Sequence, residues 1–251
     1  MKKVVPILAA VGMVIVLTCC TLPRECSTLE IDQLMPDLRG CDFSGANLKG
    51  IDFMDADLRG ASFSGANLEG ADLSNARLSG KWARAADLLT SLDGEGQDFA
   101  GWDLSHMNLV GANLANANLQ RTSLDATYLF DADLRAADLT NAQGSVLLAG
   151  SDLTGAILVG ANLEVSLLDD AILYGANLRD ANLSASGLRN ADLGEAVLGS
   201  ANLSRADLEG ADLRGADLSG ANLKSAQVTD EQLSTAASLA GAILPNGSRH
   251  P

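Results

Sequence analysis

The sequence predicts an all-β repeat solenoid, on three observations: apolar residues return every five positions, small side chains precede them, and aromatic residues are scarce. Ala46-Asn47-Leu48-Lys49-Gly50, Ala66-Asn67-Leu68-Glu69-Gly70, Ala71-Asp72-Leu73-Ser74-Asn75 and Ala211-Asp212-Leu213-Arg214-Gly215 show the unit. A period of five matches neither the helix nor the strand period, so the apolar positions would form no continuous face on either. A backbone that turns by about 90° every five residues brings every Leu and every Ala to one inner wall. The composition agrees, because a hydrophobic fraction of 47% drawn mainly from Ala and Leu, with 25 Gly and 4% aromatics, suits a thin stack.

The chain opens with an expected export signal over residues 1–19. Met1-Lys2-Lys3 gives a positive start, and residues 4–18 are uncharged and apolar, short for a membrane span and suited to a signal-peptide core. Leu17-Thr18-Cys19-Cys20 resembles a bacterial lipobox, which makes Cys20 the candidate lipidation site. Gly, Ala or Ser normally stands before the modified cysteine; here Cys19 does, and choosing Cys19 instead puts Thr18 there. A plain signal peptide or an uncleaved anchor with two incidental cysteines stays open. The acyl chains of a lipoprotein would hold the protein at a membrane surface. The expected location is therefore the bacterial cell envelope, with a secreted or periplasmic protein as the alternative. Residues 20–36 read as a linker. Cys26 and Cys41 are the remaining cysteines; a bridge between them is one reading, and a small buried side chain at Cys41 the other.

The repeat region is expected over residues 37–228. Its central Leu or Phe falls at Leu38, Phe43, Leu48, Phe53, Leu58, Phe63, Leu68, Leu73 and Leu78, slips at Ala83 and returns at Leu88. The phase then shifts to Phe99, runs to Leu139, shifts to Leu148 and continues to Val228. Both shifts read as extruded loops, a six-residue one within 89–96 and a four-residue one within 140–147, and both loops are candidate recognition elements. Residues 229–251 form the expected end. Thr229 is an N-cap with Gln232 three residues on, so a short helix should fold over the last coil and shield its edge.

These A-(D/N)-L-x-x units, repeated over about 190 residues, resemble the pentapeptide-repeat family, and more than thirty in series make the match specific. The resemblance implies a right-handed quadrilateral β-helix of about nine coils, four repeats per coil, with the central and preceding small residues pointing inward. Four repeats per coil would stack Asn162, Asn182, Asn202 and Asn222 as an amide ladder of structural character. Some family members pair through their C-termini, so a homodimer through that end is an alternative to the cap.

A net charge of -15 and a pI near 4.3 disfavour direct nucleic-acid binding, because phosphates attract Lys and Arg. His106 and His250 are the only histidines, so neither a metal cluster nor a Ser-His-Asp arrangement assembles, and no cofactor is expected. The chain reads as a non-catalytic structural or protein-interaction scaffold with an unknown protein partner. Its alternative, implied by the gyrase-protecting members of the family, is an acidic DNA mimic that binds a DNA-processing enzyme and requires the cytoplasm. Val146, Leu147, Ile157, Val159, Leu167, Ile172 and Tyr174 depart from the polar pattern of the outer positions. Of these, Ile157, Val159, Leu167, Ile172 and Tyr174 are the candidate interaction surface.

Overall fold

The computed structural model describes residues 38–251. They fall into two compact units, one ending at Ser91 and the other spanning Leu92–Pro251. The expected leader, the Cys20 lipidation site, the linker and Cys26 lie outside the described residues.

In the first unit the chain climbs one coil in twenty residues, as the parallel bridges Asp42 to Ser62, Asn47 to Asn67, Asp52 to Asp72 and Asp57 to Arg77 show. Each side of a coil is a short extended segment followed by a turn. The N–H of Ala46 donates to the carbonyl of Phe43 at 3.0 Å, and Gly45 between them sits at φ 70°. A turn with that second central residue favours glycine, which explains the glycines that end many units. The Asp or Asn before the central residue accepts from the backbone two residues on, as Ser74 N–H to Asp72 Oδ1 at 2.9 Å does. That short carboxylate or amide arm is why the second position of the repeat is Asp or Asn. Inside, Phe43 stacks on Phe63 at 5.2 Å and Phe53 meets both rings edge-on. Cys41 takes an inner small position and is buried.

After Leu78 the period stops. Helix α1, Gly80–Ser91, buries Ala85, Leu88 and Leu89, a one-face helical spacing. It brings Trp82 edge-on to Phe63 at 5.8 Å, and Thr90 accepts from Gly70 N–H at 2.7 Å. Ala83 and Leu88 therefore belong to a helix and not to coils. The six-residue loop expected within 89–96 is absent: Leu89 to Ser91 end α1, and Asp93 already bridges Asn113. The physical reason is that residues 80–91 are rich in helix formers and carry their apolar side chains on one helical face.

The second unit resumes the coil with Gly94 at a central position, where a Cβ would come within 2.8 Å of Phe99 and Leu114. Those larger neighbours fill the space that a central Leu would occupy. From Tyr128 to Leu147 the climb takes nineteen residues rather than twenty, and this continues to the bridge from Gln143 to Asn162. The step arises at Gly144, whose φ is 126° and whose Cβ would lie 2.4 Å from the backbone N of Asp125. The four-residue extrusion expected within 140–147 is thus a one-residue shortening. Gly144 N–H still donates to Asn162 at 3.0 Å, so the ladder closes without a bulge. Leucines line the rest of the interior, from Leu104 to Leu208, essentially without solvent exposure. Thr122, Ser151 and Ser186 replace inner alanines and satisfy their hydroxyls on the carbonyls of Leu119, Leu148 and Leu183.

Helix α2, Asp230–Ser234, starts at Thr229 with the capping box expected from Gln232. The Gln232 Nε2 group donates to the carbonyls of Leu208 and Ala211, and Leu233 is buried. Ser238 and Ile243 then pair with Asp217 and Asn222, and the chain turns back so that Arg249 pairs antiparallel with Ile243.

Candidate interaction surfaces

The four ladders of the second unit make four faces. In chain order the first runs through Asp93, Asn113, Asp133, Asp152, Ile172 and Asp192, and the second through Asp98, Asn118, Asp138, Ile157 and Asn177. The third runs through Asp103, Ser123, Gln143, Asn162 and Asn182, and the fourth through Asn108, Tyr128, Leu147, Leu167 and Gly187. Residues five apart lie on adjacent faces and residues ten apart on opposite ones.

That arithmetic separates the apolar residues that the sequence groups together. Ile157 and Val159 belong to the second face, Leu167 to the opposite fourth face, and Ile172 and Tyr174 to the first. Ile157, Leu167, Ile172 and Tyr174 are exposed, Val159 is half-buried, and Val146 is wholly inside. On the first face, Tyr174 lies against Gly194, where a Cβ would be 3.0 Å from its ring. The larger apolar grouping is on the fourth face. Tyr128, Leu147 and Leu167 follow one another up one ladder, with Phe130 beside Tyr128 at 6.3 Å between ring centroids and Val110 one coil earlier. Reading outer positions at the coil repeat, with the shortening at Gly144 included, finds this alignment; reading neighbours along the chain does not.

The third face carries the amide ladder. Asn182 donates to Asn162 at 2.8 Å, Asn202 to Asn182 at 3.0 Å and Asn222 to Asn202 at 3.2 Å. The amide oxygens of Asn182, Asn202 and Asn222 also accept from the backbone N–H groups of Ser184, Ser204 and Lys224, so these side chains are spent on the fold. Beside them a shallow groove of about 300 Å³ is lined by Glu164, Ser184, Ser204, Arg205, Asn222 and Lys224.

On the first face Arg135 clasps Asp133 and Arg214 clasps Asp212, in each case two residues along the same turn. The guanidinium hydrogen bonds hold both carboxyls below the usual aspartate range. Asp57 in the first unit is held by Arg59 in the same way, down to about 2. These carboxylates are paired with cations and face solvent, an environment for solubility rather than proton transfer. His106 is exposed at a turn with φ 59°, and His250 donates its backbone N–H to Ala242. Among the described residues no group of three His, Cys, Asp or Glu side chains is placed to hold a metal ion, and no helix is long and apolar enough to cross a membrane.

The family model for pentapeptide repeats matches in eight copies over residues 37–75, 108–143, 147–184 and 188–228. The first gap contains α1, and the second begins at Gly144. No curated protein matches the sequence. Among solved structures, the chain is 32% identical to HetL, a pentapeptide repeat protein involved in heterocyst differentiation regulation from the cyanobacterium Nostoc sp. strain PCC 7120. That alignment covers 81% of this chain and 93% of HetL, with a TM-score of 0.40. Full-length QnrB1, a plasmid-mediated fluoroquinolone resistance protein, is 18% identical over 82% of this chain and 92% of its own, with a TM-score of 0.46.

Proposed function

The chain belongs to the pentapeptide-repeat family, and from that premise we propose that it is a non-catalytic scaffold that binds a protein partner at the bacterial cell envelope. The family implies the right-handed quadrilateral β-helix, a fold whose outward positions can vary while its inward ones stay Leu and Ala. The observation that carries the binding reading is the exposure of Tyr128, Leu167, Ile172 and Tyr174 at outer positions that elsewhere hold mostly polar or charged residues. Exposed apolar side chains in that number mark a contact surface on an otherwise acidic protein.

The placement at the envelope rests on Met1-Lys2-Lys3, the apolar run over 4–18 and the lipobox-like Leu17-Thr18-Cys19-Cys20. In this reading Cys20 carries the lipid and residues 20–36 tether the repeat domain to the membrane. The C-terminal segment acts as a cap instead of a dimer face. Supporting that choice, Gln232 occupies carbonyls of the coil beneath it, and the turn from Ile243 to Arg249 supplies partners to the last edge.

The test is to express the full-length gene in a bacterial host, separate membrane, periplasm and cytosol, and weigh the mature N-terminus by mass spectrometry. Lipid on Cys20 in the membrane fraction is the expected result. Intact Met1 on soluble cytosolic protein would overturn the envelope reading. It would favour the alternative, for which the net charge of -15 speaks: an acidic β-helix that occupies the DNA site of an enzyme such as gyrase.

A further inference from the structure

We infer that the fourth face of the second unit docks a cationic amphipathic helix of about three turns. This rests on the scaffold reading above and names the partner's chemistry. The apolar stripe consists of Val110, Tyr128, Phe130, Leu147 and Leu167, rising through four successive coils on one ladder and its adjoining positions. Val165, on the corner beside Leu167, is 56% exposed and widens the upper end. Coils about 4.8 Å apart make the stripe about 14 Å long. A helix rising 1.5 Å per residue covers that length with roughly ten residues.

Charge decides the occupant. Carboxylates stand along both margins: Asp125 and Glu164 at the corner before the face, Asp131, Asp169 and Asp170 at the corner after it. From Val110 to Asp170 the sequence holds two cations, Arg121 at the corner between the second and third faces, away from the stripe, and Arg135. The Arg135 side chain is bound to Asp133 on the adjacent face. No cation stands at either margin within the stripe: Asp125, Asp169 and Asp170 accept only neutral hydrogen bonds, from Ser145 N–H, Arg189 N–H and Asn190 Nδ2 on the next coil, and the Arg189 guanidinium is held by Asp207 and Glu209. A second copy laid on this face would bring carboxylate against carboxylate, and an anionic lipid surface would be repelled in the same way. A helix with a Leu-rich stripe bordered by Lys or Arg meets both demands, burying apolar surface along its middle and pairing charge along its edges. The face needs no rearrangement to receive it, because every ladder residue is already held by backbone hydrogen bonds such as Leu148 N–H to Leu167 and Leu129 N–H to Leu147.

The experiment uses the full chain and two synthetic peptides of equal length with the same Leu spacing, one bordered by Lys and one by Glu, read by fluorescence anisotropy at low and high salt. The Lys peptide should bind and the Glu peptide should not. The double variant Tyr128→Asn, Leu167→Asn should weaken binding at least tenfold. It keeps the fold because Asn occupies the same ladder position at Asn108. The variant Asp131→Asn, Glu164→Gln, Asp170→Asn should weaken it several-fold and flatten its salt dependence. Circular dichroism confirms that each variant folds. Binding of the Lys peptide that is equal in all proteins would show only attraction to an acidic chain and would overturn the docking face. So would no binding at all, or a dimer in sedimentation that the Tyr128→Asn, Leu167→Asn change dissolves. None of these outcomes touches the scaffold reading, which stands or falls on the fractionation and on partners held by other faces.

Discussion

The two interruptions of the period, at residues 80–93 and at Gly144, are resolved in opposite ways. The first inserts a whole helix, α1, and the coil restarts beyond it at Asp93. The second removes one residue, and the ladder passes over the gap with its hydrogen bonds intact. Both place a glycine at the central position, yet for different reasons. At Gly94 the missing side chain is replaced by the tips of Phe99 and Leu114, which can move; at Gly144 the space is taken by the backbone of Leu124 and Asp125, which cannot. A repeat sequence therefore tolerates an added segment that folds as a helix of its own before the period resumes. It tolerates a missing residue only where the backbone itself can close in.

Substitution of the two glycines is the sharpest way to separate these cases. Gly144→Ala should cost about 4 kcal/mol, because an L side chain is strained at φ 126° and its Cβ meets backbone. Urea denaturation measures it, and a loss below about 1 kcal/mol would mean that the shortening lies elsewhere. Gly94→Ala should cost about 1 to 2 kcal/mol, since only side-chain ends have to shift. Equal losses at the two sites would erase the distinction drawn between them.

Acid should act on both sides of the interruptions alike. Arg59 holds Asp57 in the first unit at a pKa of about 2, and Arg135 and Arg214 lower Asp133 and Asp212 in the second. A carboxyl depressed in the folded state contributes stability above its unfolded value, near 3.8, and that contribution is lost as pH falls toward the folded value. Melting temperature should thus hold from neutrality to about pH 4 and fall below it, by less in Asp57→Asn or Asp133→Asn. A melting temperature that rises on acidification through this window would contradict the pairing. The smallest effect is expected at Ala83. It is exposed on α1, so Ala83→Lys should change stability by less than about 0.5 kcal/mol, whereas a lysine at an inward coil position would unfold the stack locally.

That last position shows why the period was legible in the sequence and its interruption was not. Ala86-Asp87-Leu88 is a well-formed unit by composition, yet it lies in a helix. Three residues cannot distinguish a coil from a helix turn. What decides is burial at Ala85, Leu88 and Leu89 together, a spacing visible only once the five-residue frame is set aside. The capping box at Thr229 and Gln232 was readable because its signal is local, and the amide ladder because it depends only on a repeat of twenty. The surface was harder. Ile157, Leu167 and Ile172 are close in sequence but sit on three faces, while Tyr128 and Leu167 are far apart in sequence and share one. Their alignment depends on the nineteen-residue step at Gly144, which the sequence presents only as a lost phase.

The central claim is that partners are engaged on one face of the second unit and not on its opposite. A photo-reactive amino acid placed at Tyr128 or Leu167, or at Asn177 on the opposite face, tests it in intact cells. Cross-links from Tyr128 and Leu167 to a basic segment of another polypeptide, with none from Asn177, are the expected result. Cross-links of equal yield from both faces, or from Asn177 alone, would contradict it.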